Sequence, residues 1–205
     1  MSTPATKKRR GNRRQEILET LVRMLEKENG GRITTANLAA KIGVSEAALY
    51  RHFPSKAKMY DGLLDFVEES LFSRINSILN SEASALDRCP RIIHLVLAFA
   101  ESNAGLCRLL AGDALMGEDQ RLQQRVNQIF ARLETTIKQV LREAELQESL
   151  RTPFGLGATV NMLTLYLDGK ILQYVRSGFE KKPTENWEDQ WTAMSKSLFR
   201  ISVAS

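Results

Sequence analysis

Ala47, Ala48 and Arg51 stand three and four residues apart, so on a helix they share one face. That face is small with one long cation. Small side chains let a helix backbone come close to base edges in a major groove, and a guanidinium bonds guanine in a fork or grips a phosphate. Leu49 and Phe53, four apart, fall on another side of the same turn and are expected to point inward. The chemistry on offer is recognition by hydrogen bonding and charge.

The stretch that must position these residues is 33–56, reading ITTANLAAKIGVSEAALYRHFPSK. A first short helix is expected from Thr34 or Thr35, whose hydroxyls can accept from orphaned amide groups, with Leu38, Ala39 and Ile42 directed to a core. Gly43 tolerates the left-handed backbone of a helix end, Val44 plugs the junction, and Ser45 caps the second helix. Pro54 stops that helix, and Ser55 can cap the next. Two short helices about a tight turn read as a DNA-binding helix-turn-helix. Such pairs also occur as plain packing units in all-helical proteins, so spacing alone leaves both readings open.

Charge is distributed unevenly. Residues 1–60 hold 13 Lys+Arg against 5 Asp+Glu, whereas the rest hold 16 against 19. A basic N-terminal module on a slightly acidic body suits a protein that presents one end to a polyanion. Residues 1–14 are expected to form a flexible basic arm, with Lys7, Lys8, Arg9, Arg10, Arg13 and Arg14 tracking phosphates or entering a minor groove. A solubilising tail is the competing reading of the same charges.

Residues 15–28 predict an amphipathic helix that packs behind the pair, through Ile17, Leu21 and Leu25, and ends at Asn29-Gly30-Gly31. The expected division is a DNA-binding domain over 15–56 and a helical regulatory and dimerisation domain over 57–205. A long helix from Lys56 to about residue 80 carries an apolar stripe from Tyr60 to Ile78. Phe66 lies off that stripe beside Met59, either packed by another helix or exposed to a protein partner. Residues 81–87 read as a loop, Pro90 as the start of an apolar helix to 101, and 106–116 as another short helix. Long helices follow over 118–148 and 153–179, and a last one carries Trp187 and Trp191. The fold class is all-α.

Other functions find little support. There is no GxSxG or P-loop, and two histidines and two distant cysteines make no metal or disulfide framework, so no catalytic residue, metal or cofactor is expected. Gly155-Leu156-Gly157 is half of a dinucleotide fingerprint and reads better as helix packing. No apolar run reaches the roughly 18 residues of a membrane span, and the basic N-terminus lacks a signal-peptide core, which places the protein in the cytoplasm.

GVSEAALYRHFPSK resembles the recognition-helix signature of the tetracycline-repressor (TetR) family of bacterial regulators. More narrowly, 33–76 resembles the nucleoid-occlusion branch of that family. The resemblance implies DNA binding, with Thr34, Tyr50, His52 and Lys56 on phosphates and Ser45, Glu46, Ala47, Ala48 and Arg51 at or near base edges. Glu46 is ambiguous there, favoured by the helix dipole but repelled by phosphate. It also implies a C2 homodimer joined through the last two long helices, with Met162, Leu165, Tyr166, Ile171 and Val175 on one and Trp187 and Trp191 on the other, any one of which could instead serve the intramolecular core, on palindromic double-stranded DNA with room for more than one dimer per site. For the nucleoid-occlusion branch the implied partner is the division protein FtsZ, on a surface including Phe66, Arg74, Leu95, Ala98 and Asn103. Ala98 stands where similar proteins carry Gly, and Ser102-Asn103-Ala104-Gly105 where they carry Arg-Asn-Pro-Gly. The wider family implies an alternative, a ligand-responsive repressor with an apolar cavity in its body.

Overall fold

A computed structural model describes the backbone of residues 4–27 and 33–201, and the side chains of 13–27 and 33–200. In chain order the helices are α1 (Pro4–Lys27), α2 (Thr35–Ile42), α3 (Glu46–Tyr50), α4 (Lys56–Leu79), α5 (Ala85–Ser102), α6 (Ala104–Leu110), α7 (Gln120–Gln147), α8 (Leu156–Arg176) and α9 (Trp187–Leu198). A 3-10 turn covers Asp113–Leu115. The strands β1 (Leu150–Arg151) and β2 (Arg200–Ile201) pair antiparallel with Leu150 opposite Ile201, a two-residue ladder that leaves the all-α class unchanged.

The first helix departs from expectation. Its backbone is helical from Pro4, so the segment expected to be a flexible arm continues α1. Lysine, arginine and alanine are good helix formers, and proline is well placed at a first helical position. The side chains of Lys7, Lys8, Arg9 and Arg10, and the expected break at Asn29-Gly30-Gly31, lie outside the described residues.

Two compact units form. One runs to Val67 and takes in Ala104–Val126; the other comprises Glu68–Asn103 and the chain from Asn127. The division into these units is interleaved in sequence. In the first unit Ile17, Leu21, Leu38, Leu49, Phe53 and Leu64 are buried, and so is Met59, although it lies off the apolar stripe of α4. The reason for the interleaving is a close approach of α6 to α1 at Gly105. A Cβ there would overlap the carbonyl oxygen of Val22 and stand 3.0 Å from its Cγ1. Gly105→Ala is therefore expected to destabilise the protein by about 1–3 kcal/mol in urea unfolding. An unchanged midpoint would mean that α6 can slide off α1 freely.

In the second unit α5 begins earlier than Pro90 suggested. The Ser84 hydroxyl accepts from the Asp87 amide at 3.0 Å, and the Glu148 carboxylate receives the amides of Ala85 and Leu86. These capping bonds settle the helix start, and Pro90 is accommodated inside it. Ile92, Ile93, Val96 and Leu97 are buried, while Arg91, His94 and Ser102 are exposed and Leu95 and Ala98 half-buried. The helix thus keeps one open strip instead of being enclosed all round.

The face of α8 is also split. Ile171 and Val175 are consumed in the core of their own unit, whereas Met162 and Leu165 are 51% and 59% exposed. Of the apolar residues of α8 expected at a subunit interface, Met162 and Leu165 remain available. Tyr166 is half-buried, its hydroxyl donating to Gln190 at 2.7 Å, and Trp187 stacks on Trp191 with ring centroids 5.4 Å apart.

Candidate nucleic-acid interface

Local sequence builds the helix-turn-helix through its caps. Thr34 is the N-cap of α2, its hydroxyl accepting from the Asn37 amide at 3.2 Å. Gly43 closes the helix at φ 76°, a conformation that an L side chain would strain. Two residues later Ser45 caps α3, its hydroxyl accepting from the Ala48 amide at 3.2 Å. The turn expected between residues 42 and 46 is formed. Leu49 and Phe53 are buried, and the backbone turn continues to Phe53, whose amide donates to the Leu49 carbonyl at 3.1 Å.

This inward anchoring leaves the recognition face outside. Ala47 and Arg51 are exposed and Ala48 is half-buried. The Arg51 guanidinium has no intramolecular hydrogen bond or ion pair among the described residues. A cation so presented is available to a polyanion.

A chain of side-chain bonds fixes α3 against the start of α2. Thr35 donates to the Glu46 carboxylate at 2.7 Å, and the Tyr50 hydroxyl donates to the Thr35 oxygen at 3.2 Å. One oxygen of Glu46 is thus held within the protein. Eleven residues separate Thr35 from Glu46, so no local pattern in the sequence joins them.

Arg14, expected in the arm, instead donates to the His52 carbonyl at 3.1 Å and lies 4.2 Å from the centroid of the Phe53 ring. It ties α1 to the end of the recognition turn. Arg13 pairs with Glu16 at 2.8 Å on the surface. His52 is half-buried and Tyr50 is 42% exposed. Lys56, the first residue of α4, pairs with Glu118 at 2.6 Å, a partner that sequence spacing could not suggest across 62 residues.

The residues implied for a protein partner keep open positions on their own helices. Phe66 is 50% exposed and Arg74 is exposed. Leu95 and Ala98 lie three apart on the open strip of α5. Asn103 caps that helix and donates to the Phe99 carbonyl at 2.8 Å, so its amide is partly committed to local structure.

Burial pushes the Cys89 and Cys107 thiols up to about 12, which keeps both protonated at neutral pH. A cavity of about 390 Å³ in the second unit is lined by His94, Thr184, Asn186, Trp187, Glu188 and Asp189 and is mostly polar. No single helix among the described residues is long and apolar enough to cross a membrane.

Known proteins agree with this reading. Residues 17–63 match the family of bacterial regulatory proteins, tetR family, and residues 83–199 match the tetracyclin repressor-like C-terminal domain. A TetR transcription regulator from Haloarcula marismortui superposes with a TM-score of 0.76 at 16% identity, covering 93% of this chain and 100% of that one. The ketosteroid regulator KstR2 of Mycobacterium tuberculosis gives a TM-score of 0.73 at 20% identity, covering 92% and 95%. These two establish the fold. Nearer in sequence, the nucleoid occlusion factor SlmA of Marinomonas sp. MWYL1 is 53% identical over 190 residues, spanning 93% of this chain and 96% of the relative. That of Colwellia psychrerythraea is 56% identical over 180 residues, spanning 88% and 91%. With identity of this level over nearly the whole of both chains, and both family models matched, the chain belongs to the TetR-type SlmA family of nucleoid occlusion factors.

Proposed function

We propose that the protein is a nucleoid-associated cell-division inhibitor that binds palindromic chromosomal sites as a C2 homodimer and antagonises FtsZ ring assembly over the nucleoid. The observation that carries this reading is the similarity, over nearly the whole chain, to relatives named nucleoid occlusion factors. The helix-turn-helix supplies the DNA contact. Thr34, Tyr50, His52 and Lys56 are assigned to phosphates, and Ser45, Ala47, Ala48 and Arg51 to positions at or near base edges. Glu46 has a second duty, because Thr35 holds its carboxylate against the recognition helix. Met162 and Leu165, exposed on α8, support a subunit interface there.

The ligand-responsive repressor is the weaker reading. The curated relatives, named nucleoid occlusion factors over nearly the whole chain, favour the first reading over it.

The test is light scattering of FtsZ polymers with GTP and the purified protein, with and without a palindromic site selected from random DNA. Loss of polymer that deepens with DNA is expected. Phe66→Ala and Arg74→Asp are each expected to weaken the effect about tenfold or more while DNA affinity stays the same, as for truncation of an exposed anchor. Full activity in both variants would remove this partner surface. No effect of the unsubstituted protein on FtsZ would return it to the repressor class.

A further inference from the structure

Lys56 opens α4, where the aligned peptide dipoles already present partial positive charge. An ammonium in that position is disfavoured unless an anion accompanies it. No acidic residue occurs in the first turn of α4. The anion comes from Glu118, at 2.6 Å, with the two side chains only 18% and 12% exposed. The Tyr60 ring stands on the same ammonium, 5.3 Å from ring centroid to Nζ. Glu118 follows Gly117, whose φ of 76° turns the chain, and its amide donates to the Leu115 carbonyl at 3.0 Å. That turn leads the chain to Glu118, whose carboxylate meets Lys56.

We propose that Glu118 takes, in the DNA-free protein, the place on Lys56 that a DNA phosphate occupies in the complex, and so sets the affinity for DNA. This rests on the assignment of Lys56 to a phosphate in the proposed DNA-binding function. The chemistry matches on both sides: a carboxylate and a phosphate each satisfy an ammonium at a helix N-terminus, and both cannot hold it equally. DNA binding then exchanges one anion for another. The freed Glu118 gathers a cation from solution, which offsets part of the counterion release that drives binding.

A second set of charges keeps α7 seated without Glu118. Arg125 reaches Asp61 at 3.3 Å and Asp65 at 2.8 Å. Burial pushes the Asp61 carboxyl up, but hydrogen bonds from Lys58 and Arg125 outweigh it and hold the group below the usual carboxylate range. Glu118→Gln should accordingly fold.

The experiment is a DNA-binding titration by fluorescence anisotropy over a range of salt concentrations. It uses the unsubstituted protein, Glu118→Gln, Lys56→Met and the double variant, each checked by circular dichroism and thermal melting. Glu118→Gln is expected to bind about three- to tenfold more tightly at low salt, with a salt slope steeper by up to about one. In the Lys56→Met background the same change should have no effect. Unchanged or weaker binding by Glu118→Gln would overturn the proposal. So would a gain that persists without Lys56, since that would be general repulsion of DNA by a negative charge. Failure of the unsubstituted protein to bind any DNA would instead remove the DNA-binding reading itself.

Discussion

Arg88→Ala is expected to lower the free energy of unfolding by about 2–4 kcal/mol, the range for breaking a mostly buried ion pair whose acid is partly hydrated. Its guanidinium donates to the Leu79 carbonyl at 3.2 Å, the Ser84 carbonyl at 3.4 Å and the Glu143 carboxylate at 2.7 Å. One side chain therefore closes the end of α4, steadies the loop before α5 and holds α7. The arginine side chain is 11% exposed and the glutamate 32%, so removal of the cation leaves a carboxylate and two carbonyls with poorer solvation than they had when unfolded. Lysine should recover little, because its point charge cannot serve three acceptors set in a fork. Urea unfolding with an unchanged slope would check the magnitude; a loss below about 1 kcal/mol would mean that water replaces the guanidinium at all three sites.

What the sequence disclosed follows the range of the forces involved. The helix-turn-helix was legible because its signals are local: Thr34, Gly43 and Ser45 act on amides and carbonyls within a few residues, and the burial of Leu49 and Phe53 follows from a spacing of four. The start of α5 was misread because Pro90 is a stronger signal by eye than Ser84, yet a side-chain oxygen with two amides donated to Glu148 outweighs one lost backbone bond. The interleaving of the two units could not be read at all. It depends on Gly105 meeting the backbone of Val22, and a glycine after Ser102-Asn103-Ala104 reads as a helix break, not as a contact 83 residues away in sequence. The same holds for the candidate site. Periodicity put Ala47, Ala48 and Arg51 on one side of α3 and Leu49 and Phe53 on another, whereas the bonds from Thr35 to Glu46, Arg14 to His52 and Glu118 to Lys56 join residues that only the fold brings together.

For Arg51→Ala, affinity for a selected palindromic site is expected to fall about tenfold to a hundredfold, the value of about 1–3 kcal/mol for a good arginine–base contact. Three features make this residue the one to remove. It stands at the end of α3 on the face that Ala47 and Ala48 leave low, it is exposed, and the helix beneath it is held by Leu49 and Phe53 in the core. Truncation should not disturb that anchoring, so the loss can be assigned to the DNA contact. A base contact and a phosphate contact then separate by comparison with random-sequence DNA. If Arg51 reads a base edge, affinity for random DNA changes little and the specificity ratio collapses. If it grips phosphate, both affinities fall together and the salt slope flattens by about one. Competition anisotropy at a fixed salt concentration distinguishes the two, and an equal loss on both DNAs would move sequence reading to Ser45, Ala47 and Ala48, whose small side chains can discriminate only through close contact and bound water.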